Sequence, residues 1–120
     1  MGATRGSLHA VPRAASRPTT LFRSLEGLRI ALCQVRVVPG RPDRNVEAIL
    51  REIAAAEQRS CDLVAFPEMA VPGYLIGDAW EDEGFVRDVA SANDEIRAAT
   101  AGGIAAVWGS LLFDPGLKNE

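Results

Sequence analysis

Histidine, lysine, cysteine and tyrosine are all scarce in this 120-residue chain, and each scarcity removes some chemistry. The one histidine, His9, sits in an irregular N-terminal segment, so a Ser/His/Asp or Cys/His relay would have to recruit it from there. The two cysteines, Cys33 and Cys61, each adjoin an apolar run and lack metal-ligand spacing, so both are expected reduced and buried, with no metal site. No apolar run approaches the length needed to span a bilayer, which makes a soluble chain without a membrane partner the expectation. A net charge of -3 with 24% charged residues, and no basic stripe interleaved with aromatics, argues against nucleic acid as a partner. There is no internal repeat.

Residues 1–26 differ in composition from the remainder. They hold Arg5, Arg13, Arg17 and Arg23 among Ser and Thr, and their first acidic residue is Glu26. An organellar transit peptide, a disordered tail and a start codon placed too early all give this text. A disordered or spurious extension over 1–26 is expected, followed by part of a single domain over 27–120. The segment lacks the uninterrupted apolar core of a secretory signal, so a cytoplasmic location is expected.

From Leu28 the text becomes regular. Leu28, Ile30 and Leu32 alternate with Arg29, Ala31 and Cys33 before a loop at Pro39-Gly40, which predicts a first strand of about seven residues. Asp43 is placed to cap a helix through Arg59, with Val46, Ile49, Leu50, Ile53 and Ala54 as its apolar stripe. Arg44, Glu47, Arg51 and Glu52 form the opposite, solvated face. Leu63 to Phe66 then read as a buried strand. Strand, amphipathic helix, buried strand is a βαβ unit with parallel strands, and the fold class is α/β. Further on, Asp78 is expected to cap a helix whose buried side includes Trp80 and Val89, and Ser91 to cap another through Thr100, ended by Gly102-Gly103. Ile104 to Phe113 reads as another buried strand, with Gly109 marking a bulge or a close approach. A turn signal at Asp114-Pro115-Gly116 follows, and the chain is expected to be cut rather than finished.

The centre of this text is DLVAFPEMAVPGYLIGD, Asp62 to Asp78. Pro67 has no N–H to give a sheet ladder, so the strand stops there and Glu68 stands at its exit. Open α/β sheets bind ligands outside the carboxyl ends of their strands, where an acid can serve as a catalytic base. The plainer alternative is a solvated loop acid, or one that interacts with a helix N-terminus.

With those residues in view, the run from Leu28 to Glu120 resembles the start of a nitrilase-superfamily (carbon-nitrogen hydrolase) domain. IALCQ matches its first strand, the helix and DLVAFPE its second strand and first catalytic residue, and VWGSLL its third strand. The resemblance implies the N-terminal portion of a four-layer α-β-β-α sandwich and a Glu, Lys, Cys triad met in that order. Glu68 matches the glutamate, which implies a general base toward a cysteine thiol and later toward water. PEMAVPGYLIGDAWEDEGF is most similar to the glutamine-hydrolysing branch, in which the released ammonia feeds an attached synthetase domain. That likeness implies glutamine as ligand, a C-terminal synthetase domain as partner, a homo-oligomeric full protein, and ATP with magnesium as cofactors of the synthetase domain, with none in this chain. It also sets Tyr74 by the glutamine pocket, beside the alternative that Tyr74 packs under its loop.

The departures are as informative. Lys118, the only lysine, comes too early to match the family lysine and reads as a solvated turn residue. Cys33 and Cys61 both precede Glu68, whereas the nucleophile should follow it. The chain is therefore expected to carry one of three catalytic residues and to be inactive alone. Another amidase or carbamoylase is the neighbouring alternative. A non-catalytic receiver-type module would need clustered acids after the first strand, where Val37-Val38-Pro39-Gly40 stand instead. A truncated product without function is the remaining alternative.

Overall fold

The computed structural model describes residues 27–114. The extension expected at 1–26, His9 within it, and Lys118 lie outside them. The described elements are β1 (Ile30–Leu32), α1 (Pro42–Gln58), β2 (Leu63–Ala65), a 3-10 turn (Ala79–Glu81), α2 (Glu83–Thr100) and β3 (Ala105–Val107). The strands are parallel in the order β1-β2-β3, with Ile30 opposite Leu63 and Leu63 opposite Ala105. The βαβ expectation therefore holds.

The strands are shorter than their apolar runs, for a reason that starts at Pro67. The β1–β2 ladder reaches Cys33, whose N–H donates to the Ala65 carbonyl at 2.9 Å, and the β2–β3 ladder reaches Phe66, whose N–H donates to Val107 at 2.9 Å. Pro67 has no N–H to continue toward β1, so the residues after Cys33 lose their ladder partner, while on the β3 side the contact continues past Val107 only through Gly109, whose N–H donates to the Pro67 carbonyl.

The helices correct several expected details. Asp43 is not the cap of α1: Pro42 occupies the first turn, Arg41 precedes it without a side-chain cap, and Asp43 pairs with Arg41 instead at 2.6 Å. Proline suits that position because the first N–H groups of a helix have no intrahelical partner. The buried stripe is Asn45, Val46, Ile49, Ile53 and Ala56, whereas Ala54 is exposed. At the other end, the guanidinium of Arg29 donates to the Arg59 carbonyl at 2.6 Å, placing a cation on the negative pole of the helix.

The two helices expected from Asp78 and Ser91 are one. Asp78 makes no side-chain cap bond, and it is Asp82 that caps α2 by accepting from the Phe85 N–H at 2.7 Å. Phe85, Val89, Ala92 and Ile96 then run as one stripe past the exposed Ser91, so packing carries the helix through. Trp80, expected buried, is about half exposed.

Both helices pack on one face of the sheet. Ile49 and Ile53 from α1, Val89 and Ile96 from α2, Val64 and Ile104 are at most 2% exposed. Each such side chain contributes about 1.5–3 kcal/mol by leaving water. Small residues, Ala31 and Ala106, meet this core from the neighbouring strands. The opposite face carries the larger ones: Ile30, Leu32 and Val107 are 46%, 78% and 56% exposed.

Candidate active site

Glu68 is exposed at the carboxyl end of β2, one residue beyond Pro67. Its backbone is held by a residue from far along the chain. The Gly109 N–H donates to the Pro67 carbonyl and the Gly109 carbonyl accepts from the Val71 N–H, both at 3.2 Å. A Cβ on Gly109 would overlap the Met69 nitrogen and lie 2.6 Å from the Glu68 Cα. Only glycine permits this approach, which is the close approach expected from the sequence.

The chain then folds back on itself. Met69 adopts φ 54°, a left-handed conformation uncommon for a residue with a side chain, and the Gly73 N–H donates to its carbonyl at 2.8 Å. Gly73 itself has φ 83°, and a Cβ there would stand 2.6 Å from the Pro39 Cα in the loop after β1. This turn carries Tyr74 back over the acid, and its hydroxyl donates to Glu68 Oε2 at 3.1 Å. Tyr74 is 47% exposed rather than packed beneath the loop. Desolvation first, then the hydrogen bond to Glu68 and its negative charge, raise the phenol above its ordinary range, so Tyr74 remains a neutral donor at pH 7.

One residue of this arrangement was not expected. Asn45 of α1 is 2% exposed, and its carboxamide reaches both loops. Oδ1 accepts from the Val38 N–H, while Nδ2 donates to the carbonyls of Val38 and Val71, all at 2.8 Å. The signal in the sequence was a polar residue four before Ile49, inside the apolar stripe.

The cysteines are free. Cys61 is buried just before β2, at the end of that strand opposite Glu68. Cys33 corrects the expectation of burial: it is partly exposed, with its thiol 3.9 Å from Glu52 Oε2. Desolvation, followed by the charge and hydrogen bond of Glu52, pushes that thiol up, away from the reactive thiolate. Two grooves of about 320 and 350 Å³ lie between β1 and α1 and between α2 and β3, and neither is lined by Glu68 or Tyr74. Among the described residues, no group of three or more His, Cys, Asp or Glu side chains could hold a metal, and no helix is long and apolar enough to cross a membrane.

A parallel sheet with helices on one face and an acid leaving its central strand is compatible with many functions, and it is the sequence comparison that decides between them: the chain belongs to the carbon-nitrogen hydrolase family, whose profile matches residues 29–115. It is 38% identical over 93 residues to the glutamine-dependent NAD(+) synthetase of Xanthomonas campestris pv. campestris, a match covering 72% of this chain and 17% of that protein. It is 37% identical over 95 residues to the synthetase of the same description from Xylella fastidiosa, over 74% and 17%. The chain thus spans about a sixth of the length of these relatives. Among solved structures it is similar to an amidase from Nesterenkonia sp., with a TM-score of 0.59 and 29% identity over 68% of this chain and 31% of that one. A double mutant of the amidase from Nesterenkonia sp. AN1 in complex with acrylamide gives a TM-score of 0.60 and 27% identity, over 74% and 34%. The fold is accordingly part of a nitrilase-type α-β-β-α sandwich, and the helix layer and three-stranded sheet described above are two of its layers.

Proposed function

We propose that this chain is the N-terminal part of the glutaminase domain of a glutamine-dependent NAD synthetase, with Glu68 as its general base. The observation that carries the role is the placement of Glu68: an exposed carboxylate at a strand exit, fixed by Gly109 and met by the Tyr74 hydroxyl. The likeness to the two synthetases supports the choice of glutamine over other amides.

In this reading Glu68 takes the proton of a cysteine thiol as it attacks the glutamine carboxamide. Glu68 returns that proton to the amide nitrogen of the tetrahedral adduct, so the C–N bond breaks, ammonia leaves and a thioester remains. Glu68 then takes a proton from the water that attacks the thioester and returns it to the sulfur as glutamate is released. A thiol is mostly protonated near pH 7, which is why a positioned base is needed. Tyr74 orients Glu68 Oε2 and borders the glutamine. Neither Cys61, buried at the end of β2 opposite Glu68, nor Cys33, held by Glu52, is placed to be that nucleophile, so in this reading the cysteine, and with it the lysine that supports the oxyanion, is supplied by the rest of the domain. Ammonia passes to an attached synthetase domain that amidates deamido-NAD with ATP and magnesium. In this reading the ATP and magnesium belong to the synthetase domain, and among the described residues no group of three or more His, Cys, Asp or Glu side chains could hold the metal.

The test is Glu68→Gln in the enzyme that carries this chain together with the rest of its domain. Glutamate release should fall by about 10²–10⁴-fold while amidation driven by added ammonia persists. Retained glutamine hydrolysis would refute the role of Glu68. The 120-residue chain alone should release no glutamate, and release that Glu68→Ala abolishes would show that the site needs nothing further.

The likeness to the Nesterenkonia amidases favours a second reading, a stand-alone amidase. Turnover of small aliphatic amides without turnover of glutamine would select it.

A further inference from the structure

The structure assigns Asn45 a positioning role: its buried carboxamide ties the loop after β1 to the loop after β2 and so keeps Glu68 and Tyr74 in register. For its catalytic meaning this rests on the reading of Glu68 as a base, but the geometry stands without it.

Val71, whose carbonyl Asn45 holds, lies midway between Glu68 and Tyr74 in the chain. The same seam is closed twice more. The Gly40 N–H donates to the Pro72 carbonyl at 2.9 Å, and Gly73 packs against Pro39 at a distance only glycine allows. Gly109 grips the other flank, at Pro67 and Val71. The segment from Pro67 to Gly73 is therefore held from two sides, and Asn45 is the side chain that joins it to α1. Asparagine suits the site because both of its N–H donors and its one oxygen are used. Alanine would leave the Val38 N–H and two carbonyls without these partners. Aspartate would set a carboxylate against the same two carbonyls.

A purely structural asparagine would stabilise α1 without affecting the pair on the next loop. The chain has a single tyrosine, so phenolate absorbance reports Tyr74 alone. In the unsubstituted 120-residue chain, Glu68→Gln should lower the Tyr74 midpoint, because it removes a neighbouring negative charge. In the Asn45→Ala background the same substitution should have almost no effect, since the two side chains no longer meet. Ile53→Val, which trims the core of α1 away from these loops, should leave the coupling in place. An undiminished effect of Glu68→Gln in Asn45→Ala would overturn the proposal.

Hydrogen exchange in the unsubstituted chain gives a second reading that does not require Asn45→Ala to fold. The Val38 amide, whose partner is the Asn45 side chain, should exchange at least about tenfold more slowly than an open amide. Exchange at the open rate would equally overturn the proposal. Neither measurement involves turnover, so failure of the glutaminase reading would leave both results intact.

Discussion

Replacing Gly109 with alanine adds one methyl group at the point where two backbones touch. That methyl would overlap the Met69 nitrogen and lie 2.6 and 2.7 Å from the Glu68 Cα and carbonyl carbon. These are main-chain atoms, so relief requires the strand exit itself to move. Overpacking of this kind costs about 1–3 kcal/mol. Moving the backbone also weakens the two hydrogen bonds that Gly109 makes with Pro67 and Val71, each contributing about 1 kcal/mol. Against this, alanine restricts the unfolded chain and returns about 0.4–1 kcal/mol. The steric side wins, with a net loss of about 2–3 kcal/mol. For a domain of this size that lowers Tm by roughly 10–20 °C, or moves the urea midpoint to match. Gly102→Ala is the control: it has open space but φ 70°, so it should cost only about 1–2 kcal/mol through backbone conformation. Gly109→Ala should also bring the Tyr74 titration toward its ordinary range, because Glu68 moves away, whereas Gly102→Ala should not. A Gly109→Ala chain as stable as the original, with Tyr74 unmoved, would refute the reasoning.

Other outcomes follow from the charge environment. Cys33 should react slowly with iodoacetamide at pH 7–8, because burial first and the Glu52 charge second hold its thiol up, and Glu52→Gln should speed it in part; equal rates would show that Glu52 does not contribute. The hydrogen bond from Arg41 lowers the Asp43 carboxyl from 3.8 to about 2, so whatever the pair adds to stability is complete above pH 4 and lost as pH falls through 2. Carboxyl NMR should show that midpoint return to the ordinary range in Arg41→Ala, with little change in Tm because the pair is exposed. The bare apolar face should bind a hydrophobic dye in the 120-residue chain, and Leu32→Lys should reduce the binding; unchanged binding would place the dye elsewhere.

The legible parts of the fold were those that local chemistry decides. Pro67 has no N–H, so the exit of β2 and the place of Glu68 could be read directly from the text. Parallel pairing followed from an apolar stripe between two short apolar runs. The missed parts depended on competition between neighbours. Asp43 is a good cap residue, but Pro42 had already started the helix. Ser91 is a good cap residue too, yet Val89, Ala92 and Ile96 bury around it and keep one helix going. The contact between Tyr74 and Glu68 needs the left-handed turn at Met69, which no propensity of methionine suggests. The reach of Asn45 needs two loops to meet, and the only trace of that was a polar residue where the stripe called for an apolar one.

The grip of Gly109 on Glu68 also has a consequence for the order in which the molecule can be built. Once β1, α1 and β2 have paired, the acid already stands at its strand exit, but one of the two groups that fix its backbone still lies after β3. Loop closure alone does not separate the two events, since Gly109 and Pro67 are about as far apart along the chain as the paired residues Ile30 and Leu63; what separates them is that Gly109 follows β3 and reaches the acid only when that strand docks. The strands can therefore be in place while the acid is still without its final geometry, and docking of the third strand is the event that turns a carboxylate at a sheet edge into a placed one.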